Sequence, residues 1–183
     1  MKKQMLILFS CAALMSSSAM AADIQATAGA TPTAAPAAAS SAPVRHDMKD
    51  YAITDASSYT LAKSIVVNGQ KLNSQPLLIN GCVLVPARAV SDALGFTTTW
   101  FGGAEPYITI ASGSMQTQLY FGIDYSNAVS TIADGATSPS SFGAPPILVN
   151  NTAYVPVDIF RIIQGNNPAA LQITDTEIIL KTI

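Results

Sequence analysis

The sequence predicts an α+β fold made of two tandem β-β-α-β-β units, antiparallel sheets each packed on a short helix, and three observations carry that expectation. The first is an internal echo: residues 76–110 lie over residues 146–180 at a constant offset of 70 without a gap. Pro76/Pro146, Leu78/Leu148, Asn80/Asn150, Val85/Val155, Pro86/Pro156, Gly95/Gly165 and Ile108/Ile178 are identical pairs, and agreement at turn and apolar positions together marks a true repeat. The second is a pair of short apolar runs, at 77–79 and 147–149, closed by Asn80-Gly81 and Asn150-Asn151. Such dipeptides tolerate the positive φ of a two-residue hairpin turn. The third is a Pro-to-Gly interval in each copy, Pro86 to Gly95 and Pro156 to Gly165, which reads as a helix started by a proline and stopped by a left-handed glycine.

Taken in chain order, residues 1–21 place Lys2 and Lys3 before an apolar stretch and end in Ala19-Met20-Ala21, the order of a secretory signal peptide. The apolar stretch is shorter than the ~20 residues of a membrane helix, so no transmembrane segment is expected. A lipoprotein reading through Cys11 is the weaker alternative, because Phe9 is bulky for a lipobox. Residues 22–57 read as a tether, rich in Ala, Pro, Thr and Ser and with little large apolar surface to offset chain entropy. The first repeat is assigned to 58–112. It opens with a hairpin at 64–72 around Asn68-Gly69, continues through strands at 77–79 and 83–85 and a helix over 87–94, and closes with strands at 96–100 and 107–111. In that helix Ala89, Val90, Ala93 and Leu94 supply the apolar face and Ser91 is expected to be exposed. The second repeat, 113–183, has strands at 115–121 and 124–130, an inserted loop at 131–144, the returning hairpin, a helix over 157–164 carrying Ile159, Phe160, Ile162 and Ile163, and strands at 171–174 and 177–181.

Composition excludes several functions. Charged residues make up 11% of the 183-residue chain and acids outnumber bases, eleven to nine, so no basic footprint exists for a phosphate backbone and nucleic acid is not an expected partner. Loss of residues 1–21 would remove Lys2, Lys3 and Cys11 and leave the exported chain at a net charge of −4. One histidine, His46, cannot build a His-rich metal centre or serve a Ser-His-Asp triad inside the repeats. No cofactor is expected.

The repeat resembles the copper amine oxidase N-terminal-like domain, or stalk domain, of exported Firmicutes proteins. The resemblance rests on Val67-Asn68-Gly69, Leu78-Ile79-Asn80-Gly81, the 83–85 strand with Pro86, Arg88-Ala89-Val90, Ala93-Leu94-Gly95, Thr99-Trp100 and Ile108-Thr109-Ile110. Ala144-Pro145-Pro146, the 147–150 strand and Tyr154-Val155-Pro156-Val157 carry it in the second copy, which departs by placing Asp158 where the first has Arg88. The resemblance implies a sheet packed around a helix, a secreted or envelope location and no catalytic role. Amine oxidase chemistry, with three histidine ligands for copper, is not implied for a chain with one.

The expected interaction surface comprises Arg88, Trp100, Phe101 and Tyr125: an arginine for an anionic partner and aromatic rings for a sugar platform, each with the plainer alternative of local pairing or core packing. Cys82 stands beside the 80–81 hairpin turn, where the readings are a half-buried thiol, a reactive thiol, or a thiol joining two chains into a dimer. Asp124, Asp134, Asp158, Asp175 and Glu177 read as scattered acids. The function expected is that of an exported, noncatalytic stalk or binding module for a cell-wall polymer or an extracellular protein. An inhibitor or regulator of an extracellular enzyme, using the 131–144 loop, is the alternative, and a wall hydrolase, the third reading, would need a converging acid pair.

Overall fold

The computed structural model describes residues 45–183; the expected leader, Cys11 and the 22–44 part of the tether lie outside the described residues. In chain order the strands and helices are β1 (Ala52–Ile53), β2 (Ser64–Val67), β3 (Gln70–Lys71), β4 (Leu77–Ile79), β5 (Cys82–Pro86), α1 (Ala87–Leu94), β6 (Thr97–Phe101), β7 (Tyr107–Ser112), β8 (Met115–Tyr120), β9 (Ala128–Ser130), β10 (Ile147–Val149), β11 (Thr152–Pro156), α2 (Ile159–Ile162), β12 (Leu171–Ile173) and β13 (Glu177–Leu180). The fold is α+β and dominated by strands. Asn68, Asn80 and Asn150 take φ of 49°, 50° and 47° at the hairpin turns, the left-handed values that select Asn and Gly there. Gly95 ends α1 at φ 78° and accepts the helix stop that the sequence assigns to it.

The two repeats do not keep separate sheets. Hairpins β4–β5 and β10–β11 zip together through β5 and β11 into one five-stranded sheet in the order β1-β10-β11-β5-β4. The register joins Tyr154 to Pro86, Val155 to Val85 and Pro156 to Leu84. Val85 and Val155 correspond at the offset of 70 and meet directly, and the flanking pairs are exchanged, Pro86 facing Tyr154 and Leu84 facing Pro156, as a local pseudo-two-fold axis through the Val85–Val155 pair requires. The expectation of one antiparallel sheet per unit is corrected on a second count as well: β13, the last strand of the second copy, runs parallel to β2, the first strand of the first. This produces the sheet β12-β13-β2-β3, while β6-β7-β8-β9 form a sequential antiparallel sheet.

Both faces of the central sheet are covered. Val85 and Val155 look into the main core with Val90 of α1, Ile159 and Phe160 of α2, Ile65, Ile108, Leu119, Ile178 and Leu180. The opposite face, with Leu77, Ile79, Cys82, Leu84, Ile147 and Val149, is closed by Met48, Tyr51, Ile53, Ala56, Phe142 and Ala144. Residues 45–57, assigned to the tether from composition, therefore form a strap: β1 pairs parallel to β10, and Met48 N donates to Gly122 O at 2.8 Å. Its apolar side chains cap a sheet face that would otherwise be wet, a gain of roughly 25 cal/mol per Å² of apolar area removed from water.

Two local expectations are revised. The second helix spans 159–162 rather than 157–164, flanked by tighter turns such as Phe160 N to Val157 O and Gly165 N to Ile162 O; Ile159, Ile162 and Ile163 crowd one short segment with β-branched side chains that disfavour the helix. Ser91 is not exposed but fully buried, in the stripe Ala87, Val90, Ser91, Leu94, and its hydroxyl has no hydrogen-bond partner among the described residues.

Phe160 and Val90 are both fully buried, so Phe160→Ala is expected to cost about 3–5 kcal/mol and Val90→Ala less. Ser91→Ala, which removes an unpaired buried hydroxyl, is expected to be neutral or stabilising by up to about 1 kcal/mol. Denaturant melts of the three variants check this; a neutral Phe160→Ala would contradict the packing. At Gly122, φ is +77° and an added Cβ would collide with the Met48 carbonyl and come within 3.1 Å of the Tyr51 ring. Gly122→Ala is expected to lift the strap and cost about 1–3 kcal/mol, read as a lower unfolding midpoint and faster proteolysis near residue 50.

Candidate interaction groove

The buried stripe of α1 decides what its other side presents. With Ala87, Val90, Ser91 and Leu94 turned inward, Arg88 and Asp92 fall one helical turn apart on the exposed side, as the 3.6-residue period requires. Pro86 holds the helix start at φ −66° and contributes no side-chain cap.

A groove of about 790 Å³ runs beside this helix face, between α1, the β10–β11 hairpin and the edge strand β6. Arg88 and Asp92 stand on one wall, Trp100 and Thr98 on another, and Tyr154 and Asn151 on the third. Its size lies in the range of sites that hold small ligands or polymer segments. Trp100 pairs with Ile108 in the strand register, is 44% exposed, and rests against Phe121 at 5.1 Å between ring centroids. The indole is thus anchored on one side and open on the other. Burial pushes the Tyr154 hydroxyl above its ordinary pKa.

Neither charge on α1 is neutralised. The described ion pairs are Arg45 with Asp47 and Arg161 with Asp158, and neither the Arg88 guanidinium nor the Asp92 carboxylate has a hydrogen-bond or ion-pair partner among the described residues. Their order is also unfavourable for the helix itself. A cation in the first turn and an anion in the last oppose the macrodipole, at about 0.3–1 kcal/mol each.

The four residues expected to form one surface fall in three places. Arg88 and Trp100 share the groove. Phe101 points to the opposite face of its sheet and stacks on Tyr107 at 4.6 Å and 12°, with Tyr107 in turn 5.1 Å from Tyr120; these rings spend their faces on one another, as a cross-strand ladder does. Tyr125 lies by the strap, under the Arg45 guanidinium at 5.2 Å. Asp92, Thr98 and Tyr154 were not expected in a site. The four-residue spacing from Arg88 is the sequence signal that points to Asp92.

The acids do not converge. Asp124, read as one of the scattered acids, is 1% exposed and accepts from Ser141 Oγ at 2.6 Å, Phe142 N at 2.7 Å, Gly143 N at 3.0 Å and His46 N at 3.2 Å. The Asp124 N–H donates to Asp47 Oδ1 at 3.0 Å. This carboxylate ties the strap to the end of the inserted loop, and its lone pairs are consumed in doing so. Asp158 holds Arg161 at 3.1 Å. Among the described residues no three His, Cys, Asp or Glu side chains converge on a metal-sized position, and His46, the sole imidazole of the chain, is exposed on the strap. These residues do not fit a copper cage. Among the described residues no helix is long and apolar enough to cross a membrane.

Fold and groove together define a strand-dominated α+β domain with an amphipathic cleft at the start of its first helix. A family model described as the copper amine oxidase N-terminal domain matches residues 66–168, and the chain belongs to that family, a family of noncatalytic modules. The match begins inside β2 and stops before β12 and β13, the strands that complete the sheet with β2. Comparison with curated proteins and with solved structures gave no match.

Cys82 is 6% exposed and its thiol is pushed up to about 12, first by burial and then by the nearby negative charges of Asp158 and Asp124. A bond from this sulfur to a second chain would require the β4–β5 turn to open. An unfolded thiol loses its proton near pH 9 and the folded one near 12, so rising pH between these values favours the unfolded chain. The expected result is an alkaline loss of stability, at most about 1.4 kcal/mol per pH unit, that is smaller in Cys82→Ala. Denaturant midpoints of both proteins from pH 8 to 11 check it; identical slopes would contradict it.

Proposed function

We propose that this protein is an exported, noncatalytic envelope module that holds a cell-wall polymer in the groove beside α1. The leader-like residues 1–21 and the tether composition that follows support export and a reach away from the point of attachment. Membership of a noncatalytic family supports binding as the activity. The observation that carries the reading is the meeting of an unpaired Arg88 and a half-exposed Trp100 on one cleft of about 790 Å³. A stacked indole and a charge-assisted hydrogen bond are the two contacts by which a protein grips a sugar chain that bears anionic groups.

Sedimentation with purified wall sacculi tests this. Arg88→Ala and Trp100→Ala are each expected to weaken binding about tenfold, equal to about 1.4 kcal/mol. Phe101→Ala and Tyr125→Ala, outside the groove, are expected to bind as the parent does. Equal binding by all four variants would overturn the proposal.

A further inference from the structure

We infer that the groove, read as the polymer site above, recognises a zwitterionic group: a short peptide stem on the wall glycan that presents a free carboxylate toward Arg88 and a free ammonium toward Asp92. Three observations meet here. The two side chains stand one turn apart on the exposed side of α1, about 6 Å along the axis, and both line the cleft. Each is without a partner among the described residues, although four-residue spacing on a helix commonly brings opposite charges together. Each also sits at the end of the helix where its own charge is disfavoured, since α1 has no acid in its first turn and no base in its last.

That last point gives the ligand its polarity. The partial positive charge of the helix start and the guanidinium of Arg88 both attract an anion; the partial negative charge of the helix end and the carboxylate of Asp92 both attract a cation. Charges that work against the helix in the free protein work with it once a ligand of opposite polarity lies alongside. A plain carboxylate would use Arg88 and leave Asp92 repelling it. A neutral glycan would use Trp100 and neither charge. A glycan-linked peptide stem that carries a free carboxylate and a free side-chain ammonium uses all three, with its sugar against the indole.

The test uses the soluble disaccharide-peptide fragment released from sacculi by a muramidase, with free amine and free carboxylates, titrated calorimetrically against the full mature chain. Three modified probes accompany it: the same fragment N-acetylated, the same fragment with its carboxylates amidated, and the disaccharide without peptide. N-acetylation is expected to weaken binding to the parent protein about tenfold and to leave Asp92→Asn unaffected. Amidation is expected to do the same for the parent and to leave Arg88→Gln unaffected. Both variants change exposed side chains, and unchanged thermal midpoints verify that they fold. Equal affinity for blocked and unblocked fragments, or no binding of the fragment while sacculi are still held in a Trp100-dependent way, overturns the zwitterion and leaves the groove reading standing. Binding of sacculi that is indifferent to Trp100→Ala overturns both.

Discussion

The pairing of Val85 with Val155 is the constraint on which the remaining structure rests. Each repeat contributes a two-strand hairpin too small to be stable alone in water, and each hairpin finds its partner in the other copy rather than in its own. Once β5 and β11 meet, the central sheet has apolar side chains on both faces, and both must be covered. Each of these strands leads through its proline into its helix, so the two helices leave from opposite ends of the antiparallel strand pair while packing into the same core. The position of α1, and hence of the groove, follows from Pro86 being the register partner of Tyr154, which delivers one wall of the cleft beside the other.

The same constraint explains why the chain closes with its extremities. Strand β13 needs a neighbour and receives β2 from the opposite end of the domain. Asn68, at the turn after β2, donates to Ala93 O at the end of α1 and accepts from Thr182 N, whose hydroxyl donates to Leu94 O. Helix carbonyls without intrahelical partners are thereby satisfied by residues from both ends of the domain. On the second face, the strap plays the covering role that a longer hydrophobic element would otherwise fill, and buried Asp124 holds it down through backbone N–H groups. A carboxylate buried in this way is tolerable only because it is so fully hydrogen-bonded.

Much of this was legible in the residues, and the exceptions have physical reasons. The bounds of α1 follow from Pro86 and Gly95, and the hairpins from Asn-Gly and Asn-Asn, because those residues impose backbone conformations locally. The merging of the copies into one sheet is non-local and has no such marker. Its one trace is that Val83-Leu84-Val85 is apolar on successive residues, a pattern of a strand covered on both faces, whereas Leu78 of the edge strand β4 is 41% exposed. Strand β1 spans two residues of a polar segment and is held by partners nearly a hundred positions away. Burial of Ser91 was readable from its spacing to Ala87 and Leu94, where position on the helix overrides the polarity of one hydroxyl. The role of Asp124 was not readable, since its main partners are backbone amides that any sequence supplies. Arg88 and Trp100 were recognisable as candidates one by one; their separation from Phe101 follows from the alternation of β6, which turns neighbouring residues to opposite faces.

The offset of 70 in the sequence finally allows the two helix regions to be judged against each other. At the offset of 70, Arg88, Asp92 and Trp100 correspond to Asp158, Ile162 and Ala170. The second copy has an acid at its helix start and a base, Arg161, in its last turn, the arrangement that agrees with the helix dipole, and the two are joined at 3.1 Å. It has no ring where Trp100 stands. Positions matched by the offset have thus been filled in two ways, one that satisfies its charges internally and one that leaves them open beside an exposed indole. If helix stability alone governed these positions, both copies would carry the pattern of the second. The reversal of sign at 88 against 158 therefore supports the first helix, rather than the second, as the place of the proposed binding.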